Sequence, residues 1–124
     1  MKRDMDLIRE ILLRIESDPE FDGTRWVTPS EPSDLMPTNC LMDELNYHLE
    51  LLIEAGFLTG ESRSGYGSPT INRLTWKGHE FLDNVRDNEI WRGTKERLKG
   101  LPSVAINIVA ELAKAEIKKK LGLT

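Results

Sequence analysis

The sequence predicts an α+β fold that is mostly helical, and three observations carry this prediction. In several segments the apolar side chains recur three and four residues apart, which is the spacing of one face of an α-helix. Two short β-leaning runs, residues 57–59 and 71–76, flank a link that contains three glycines and a proline. One predicted helix directly precedes the first run, and another directly follows the second. This order predicts a winged helix-turn-helix with a two-stranded β-hairpin wing and an additional C-terminal helix.

The first helix is predicted over residues 4–17. Four apolar side chains form one stripe along it: Met5, Ile8, Leu12 and Ile15. We expect Asp4 to be its N-cap, because a carboxylate there accepts hydrogen bonds from free backbone N–H groups of the first turn.

Residues 18–39 interrupt the helical pattern. Each proline in this segment removes a backbone donor and restricts the residue before it: Pro19, Pro29, Pro32 and Pro37. The segment is therefore predicted to be a loop with a short strand at residues 25–28 and a helical turn at 33–36. We expect Thr38 or Asn39 to cap the next helix.

The central helix has the clearest apolar face in the chain. Its members are Leu41, Met42, Leu45, Leu49, Leu52 and Ile53. Gly56 ends this helix, since a residue without Cβ readily takes a left-handed conformation. After the predicted hairpin, Thr75 lies where a cap is needed for a helix that runs to about Arg86.

Two more helices are predicted at residues 88–99 and 103–121, separated by Gly100 and Pro102. The expected apolar stripe of the last helix is Ala105, Ile108, Val109, Leu112 and Ala113. We expect a winged-helix domain over residues 1–100 and an appended amphipathic helix over 101–124. This helix packs back on the first helix or pairs with a second chain, and the latter alternative predicts a homodimer.

Composition indicates one domain with an uneven distribution of charge. The 124 residues suffice for a hydrophobic core, and the lone Cys40 cannot form an intramolecular disulfide. The charged N-terminus and the lack of a long apolar run favour a cytoplasmic protein without membrane association. Net charge is −4, yet residues 1–62 hold five Lys or Arg against fourteen Asp or Glu, and residues 63–124 hold twelve against seven. Such asymmetry indicates a polyanion-binding face or two halves that attract one another.

Three sequence blocks carry a resemblance to a family. They are MKRDMDLIREILLRIE at the N-terminus, YHLELLIEAGFL in the centre and RLTWKGHEFLDNVRD after the wing. Together they resemble an uncharacterised family of small bacterial and prophage proteins, which implies a winged-helix-like domain without an established activity. The segment LTWKGHEFL also resembles the post-wing segment of several bacterial winged-helix regulators.

The fold favours a small bacterial or prophage regulator that binds nucleic acid. Cations in and after the wing, with one wing tyrosine, are the candidate contacts, because cationic side chains provide most nonspecific affinity for phosphates. These residues are Arg63, Tyr66, Arg73, Lys77, Arg92, Lys95 and Lys99. A solvated helix face is the simpler explanation for the stripe of Arg92, Lys95 and Lys99.

An alternative follows from the helix before the wing, which would read the major groove in a DNA-binding winged helix. Its outer face contains no Lys or Arg and would repel phosphates. The face consists of Asp43, Asn46, Tyr47, Glu50 and Glu54. The alternative function is a noncatalytic protein-interaction module in which this face meets a basic partner.

No sequence motif indicates catalysis, a cofactor or a metal. The Gly-rich run at residues 65–68 lacks the Lys and Ser or Thr of a phosphate-binding loop. His48 and His79 are the two histidines, neither belongs to an HExxH pattern, and no CxxC is present. We expect His48 to be partly buried and hydrogen-bonded locally, His79 to be on the surface, and the three tryptophans to fill the core or an interface.

Overall fold

The computed structural model describes residues 1–30, 35, 37, 40–63, 67–101 and 104–123. Their helices and strands are α1 (Met5–Ser17), α2 (Met42–Glu54), β1 (Leu58–Glu61), β2 (Thr70–Leu74), α3 (Trp76–Val85), α4 (Asn88–Leu98) and α5 (Ile106–Lys120). The prediction of a mostly helical α+β fold with a two-stranded antiparallel sheet is thereby confirmed. The chain divides into two compact units, unit 1 (Met1–His79) and unit 2 (Glu80–Thr124), and α3 crosses the division.

Helix α1 begins where the sequence predicts. The Asp4 carboxylate accepts a hydrogen bond from the Leu7 backbone N–H at 3.2 Å, which confirms Asp4 as the N-cap. The apolar face is broader than the predicted stripe, because Leu7 and Ile11 are also buried. Helix α1 therefore contributes a wide apolar surface to the core of unit 1.

The segment after α1 is tied to the sheet at one point. Val27 and Ile71 form an antiparallel β-bridge in which each N–H donates to the other residue's carbonyl at 2.8 Å. The structure has no strand at residues 25–28, where one was predicted, but only this single bridge. The helical turn predicted at 33–36 falls on residues that, apart from the buried Leu35, lie outside the described ones.

Helix α2 begins later than predicted. Its N-cap is Leu41, so the prediction of Thr38 or Asn39 as cap is wrong. The Leu41 N–H donates to the Glu44 carboxylate at 3.4 Å, and the donor is satisfied from within the helix. Leu41 itself is 68% exposed and does not belong to the apolar face, whereas Leu45 and Leu49 are fully buried.

The hairpin is confirmed as β1 paired antiparallel with β2. Leu58 lies opposite Leu74, and the register shifts between Thr59 and Gly60, as at a β-bulge. A Cβ at Gly60 would lie 2.7 Å from the Thr70 carbonyl oxygen, so a larger residue does not fit there. Glycine thus allows β1 to approach its neighbours closely.

Helix α3 starts at the predicted cap. Thr75 Oγ1 accepts from the Gly78 N–H at 3.0 Å and donates to the Gly56 carbonyl at 2.6 Å, which confirms Thr75 as the cap. Gly56 has φ of +82°, the left-handed conformation predicted for it. A Cβ at Gly78 would overlap the Phe57 carbonyl oxygen. The first turn of α3 is therefore held directly against the chain that leaves α2.

In unit 2, α4 and α5 pack against one another. The Asp87 carboxylate caps α4 by accepting from the Glu89 and Ile90 N–H groups at 2.9 and 3.0 Å. Val109 and Ala113 of α5 are fully buried.

The predicted apolar stripe of α5 is partly wrong. Ile108 is 46% exposed and Ala105 is the exposed N-cap, so neither joins the buried face. The physical reason is rotational: consecutive residues lie 100° apart around a helix, and the face centred on Val109 and Ala113 turns Ile108 towards solvent. Among the described residues, no helix combines the length and the apolar content needed to cross a membrane.

Candidate functional site

The outer face of α2 is an acidic stripe, which we define as Asp43, Asn46, Tyr47, Glu50 and Glu54. These residues recur three and four positions apart on one continuous helix and extend for about 16 Å at the helical rise. Asp43 and Glu54 are exposed at the two ends, and the three residues between them are half-buried. The structure therefore brings all five predicted partner-binding residues onto one face.

Among the described residues, no cation forms an ion pair with the carboxylates of this stripe. Within the part of the chain that the structure describes, the side chains of Asp43, Glu50 and Glu54 make no hydrogen bond or ion pair. Asn46 Oδ1 is buried and accepts no hydrogen bond. Helix α2 contains no Lys or Arg, so its outer face has a concentrated negative charge.

A second sign of negative potential comes from Cys40, just before α2. Burial raises the pKa of the Cys40 thiol, and the nearby carboxylates of Glu44 and Asp4 act in the same direction because they disfavour a thiolate. The thiol is thus kept protonated, which disfavours a nucleophilic role.

His48 holds α2 against the start of α1. It is 1% exposed; its Nε2 accepts from the Asp4 N–H at 2.9 Å, and its Nδ1 lies 2.7 Å from the Glu44 carbonyl. An acceptor at Nε2 and a donor at Nδ1 require the neutral tautomer with its proton on Nδ1. The predicted local hydrogen bond is confirmed, and the longer-range bond to Asp4 was not predicted. Tyr47 packs edge-on against this ring, with the ring centroids 5.5 Å apart.

The C-terminal end of α2 receives a cation from α3. Lys77 Nζ donates to the Ala55 carbonyl at 3.1 Å and lies 5.4 Å from the centroid of the Phe57 ring. Free carbonyls at a helix end carry partial negative charge, which a lysine stabilises. Lys77, predicted to contact nucleic acid, therefore also has a structural role in unit 1.

Two other predicted cations lie on the hairpin. Arg63 is exposed, and its Nη2 donates to Thr70 Oγ1 at 3.4 Å. Arg73 is exposed, and its Nη1 donates to the Leu74 carbonyl at 2.9 Å. Tyr66 lies outside the described residues. Unit 1 thus presents two arginines on or beside the hairpin, and neither forms an ion pair with a described carboxylate.

The remaining predicted cations, Arg92, Lys95 and Lys99, are exposed on α4 in unit 2. Their neighbour Arg97 forms an ion pair of 2.6 Å with Glu116 of α5. Their exposure fits both a nucleic-acid contact and a simple solvated helix face, so both interpretations stay open.

Sequence reasoning missed Trp26 as a surface residue. Trp91 is buried at 5% exposure, whereas Trp26 is 52% and Trp76 is 79% exposed. The signal available for Trp26 was its position in the predicted short strand, because alternation places it on the face opposite to that of Arg25 and Val27. His79 is on the surface as predicted, with Nδ1 3.6 Å from Glu16 Oε2. Across the described residues, no group of three or more His, Cys, Asp or Glu is arranged to hold a metal ion.

Comparison with known proteins gives a family without an assigned activity. The family profile described as "Hypothetical protein (DUF2513)" matches residues 2–105. An uncharacterised protein of Haemophilus influenzae is 31% identical over 128 residues, which cover 98% of this chain and 100% of that protein. No solved structure matches the chain significantly. Because the profile covers most of the chain and the relative aligns over its whole length, this protein belongs to the DUF2513 family.

Proposed function

We propose that this chain is a small, noncatalytic, cytoplasmic interaction module of a bacterium or its prophage, built on a winged-helix domain, that binds a basic partner through the acidic stripe of α2. The observation that carries this proposal is the set of carboxylates Asp43, Glu50 and Glu54, which have no cationic partner among the described residues. Exposed carboxylates of one sign on a rigid helix attract a cationic surface and orient it.

The order of elements in unit 1 supports the winged-helix part of the proposal. Helix α1, the bridge at Val27, α2 and the β1–β2 hairpin follow one another, and α3 begins directly after the wing. A short strand that pairs with the wing is typical of winged helices.

The stripe also has features of a specific contact. Tyr47 is half-buried between carboxylates, with its ring braced against the buried His48. Rigid tyrosines in the centre of a charged surface are frequent binding hot spots. We therefore expect a partner that offers Lys or Arg to the carboxylates and an apolar side chain to Tyr47.

The test uses a fluorescent Arg-rich peptide of about 12 residues and measures anisotropy over a salt series. The test variant combines Asp43→Asn, Glu50→Gln and Glu54→Gln. The control combines Glu20→Gln, Glu80→Gln and Glu96→Gln, which changes net charge equally at exposed carboxylates elsewhere. We expect only the α2 variant to lose most of its affinity; equal losses in both variants would contradict a localised site.

Duplex nucleic acid is the second candidate, favoured by Arg63 and Arg73, which are exposed and make no ion pair with a described carboxylate. In this alternative the two hairpin arginines contact phosphates, while the acidic stripe of α2 stays away from them. Duplex binding measured across a salt series tests it, since affinity that does not fall with salt contradicts a phosphate-tracking site.

A homodimer formed through α5 remains a prediction, and Ile108, 46% exposed, is the apolar side chain on which it depends most. Sedimentation equilibrium of the full chain and of Ile108→Asp tests it. An unchanged monomer in both would eliminate the dimer.

A further inference from the structure

In unit 1, β1, β2 and residues 23–28 lie side by side, and we call these three segments the ribbon. Residues 23–28 form its outer edge. The two hydrogen bonds between Val27 and Ile71 fix this segment on one side of Trp26, at 2.8 Å each. On its other side, Asn72 Nδ2 donates to the Arg25 carbonyl at 3.0 Å. The backbone on both sides of Trp26 is therefore pinned to β2.

Trp26 is 52% exposed on this pinned backbone. A single exposed apolar residue is common, and by itself it indicates nothing. A tryptophan on a fixed backbone, however, offers a large flat ring and has only two side-chain torsions to order when a ligand binds. What surrounds the ring decides which ligand it suits.

Exposed arginines lie at both ends of the ribbon. A Cβ at Gly23 would lie 3.1 Å from Arg73 Cδ, which places Arg73 beside the start of the segment. Thr28 Oγ1 lies 3.3 Å from Thr70 Oγ1, and the same Thr70 hydroxyl accepts from Arg63 Nη2. Because the segment runs antiparallel to β2, Trp26 lies between the Arg73 end and the Arg63 end.

Among the described residues, the arginines of the ribbon form no ion pair, whereas three other arginines do. Arg14, Arg86 and Arg97 each lie within 3.5 Å of a carboxylate oxygen. In the described parts of the chain, no carboxylate forms an ion pair with the ribbon arginines, which are Arg25, Arg63 and Arg73. Acidic residues outnumber basic ones in this protein, so carboxylates were available.

Two acidic residues lie near the ribbon. Asp22 accepts from the Thr24 hydroxyl and N–H at 2.6 and 2.8 Å, and these bonds, with a smaller effect of Arg25, lower the pKa of its carboxyl. Glu61 lies opposite Thr70 in the β1–β2 register. The contacts of the described residues thus place three guanidinium groups and two carboxylates along the ribbon, a modest positive excess beside an exposed indole.

We propose that this ribbon surface, Trp26 with Arg25, Arg63 and Arg73, binds single-stranded nucleic acid. The indole stacks on one base, and the guanidinium groups donate to phosphate oxygens on either side, which is how aromatic and cationic residues cooperate on single strands. A duplex keeps its bases stacked on both faces and leaves none for Trp26. This inference does not depend on the acidic stripe of α2.

The test measures fluorescence anisotropy of a labelled 12-nucleotide oligothymidine with the full chain at several salt concentrations. Trp26→Ala is expected to weaken binding about 5- to 150-fold, the range typical of one base stack, while Trp26→Phe retains most of it. Trp76→Ala, which removes another exposed tryptophan, is the matched control. Arg63→Gln is expected to reduce the salt slope by about 0.7, the value for one phosphate contact on a single strand, whereas Arg86→Gln leaves the slope unchanged.

Circular dichroism of each variant verifies that it is folded. Failure of the wild-type chain to bind the oligonucleotide, or equal losses for Trp26→Ala and Trp76→Ala, would overturn the proposal. The proposal would also be overturned if a duplex of equal length, or polyglutamate, displaced the labelled oligothymidine at the same concentration as unlabelled oligothymidine does.

Discussion

Replacement of Gly78 by alanine has two opposing effects on the free energy of unfolding, and the structure predicts which of them is larger. Gly78 lies in the first turn of α3, and helix propensity alone favours alanine over glycine by about 1 kcal/mol. The added Cβ, however, would overlap the backbone carbonyl oxygen of Phe57, at a separation that real Cβ atoms essentially never show. We expect the overlap to exceed the propensity gain.

The magnitude follows from what must move. The Phe57 oxygen is a backbone atom that also accepts from the Thr75 N–H at 3.0 Å, so it cannot retreat without weakening that bond. Overpacking costs about 1–3 kcal/mol, and the strained hydrogen bond adds about 1 kcal/mol. After subtraction of about 1 kcal/mol for propensity, Gly78→Ala should lower the free energy of unfolding by about 1–3 kcal/mol.

Gly93 provides the matched control, since it is also a glycine inside a helix. Its added Cβ would lie 2.5 Å from Glu116 Oε2, the far end of a flexible side chain. That carboxylate can rotate away at the cost of its partly exposed ion pair with Arg97, which is worth about 0.5 kcal/mol. Gly93→Ala should therefore stay within about 1 kcal/mol of the wild type.

The assay is urea unfolding of the wild type and both variants, followed by far-ultraviolet circular dichroism and by tryptophan fluorescence. The midpoint of Gly78→Ala should fall clearly below the other two. If Gly78→Ala matches or exceeds the stability of the wild type, propensity governs this position and the close approach of α3 to Phe57 is wrong.

Three other predictions concern caps and buried polar groups. His48→Leu removes the acceptor of the Asp4 N–H and should cost about 2–3 kcal/mol in urea unfolding, whereas the exposed His79→Leu should change little. Backbone N–H groups in the first turn of α4 hold the pKa of the Asp87 carboxyl below its ordinary value of 3.8. The ionised carboxylate therefore stabilises the folded protein fully at pH values well above 3.8, and this stabilisation is lost as the pH falls through 3.8 and below the lowered pKa. Asp87→Asn retains a cap without the titration, and its thermal midpoint should depend less on pH between 5 and 3; an acid limb as steep as the wild type's would contradict this. Lys77→Met should lower the free energy of unfolding by about 0.5 kcal/mol, because the C-terminal carbonyls of α2 lose a cationic partner. If added salt changes the stability of the variant and of the wild type equally, the charge of Lys77 does not contribute to this stabilisation.

The sequence predicts the elements of this fold better than their junctions. The periodicity of α1 and the glycine after α2 act locally, so the Asp4 cap and the turn at Gly56 are correct. Helix α2 starts where the Glu44 side chain reaches back to the Leu41 N–H. The sequence pattern alone does not distinguish this start from one at Thr38 or Asn39. The exposure of Ile108 follows from the face that α5 presents to α4, and this orientation is a tertiary property.

The candidate sites show the same difference between features set locally and features set by tertiary contacts. Because Asp43, Glu50 and Glu54 share one helix, their spacing alone places them on one face. The surroundings of Trp26 depend on contacts with residues 70–73, more than 40 positions away, and neither spacing nor composition reveals them. A long-range ribbon is therefore visible only in the folded chain.

That ribbon has a consequence for how the protein folds. The bonds that close unit 1 join residues 44 positions apart at Asp4 and His48 and 47 apart at Arg25 and Asn72. The ion pairs between α4 and α5 span fewer positions, 19 for Arg97 with Glu116 and 31 (120 minus 89) for Glu89 with Lys120. Closing a longer loop costs more chain entropy before any contact compensates for it, and contacts between distant residues therefore slow folding. In refolding followed by stopped-flow circular dichroism, the helical pair of unit 2 should therefore form in an early phase, and attachment of residues 23–28 to β2 should complete the slowest one.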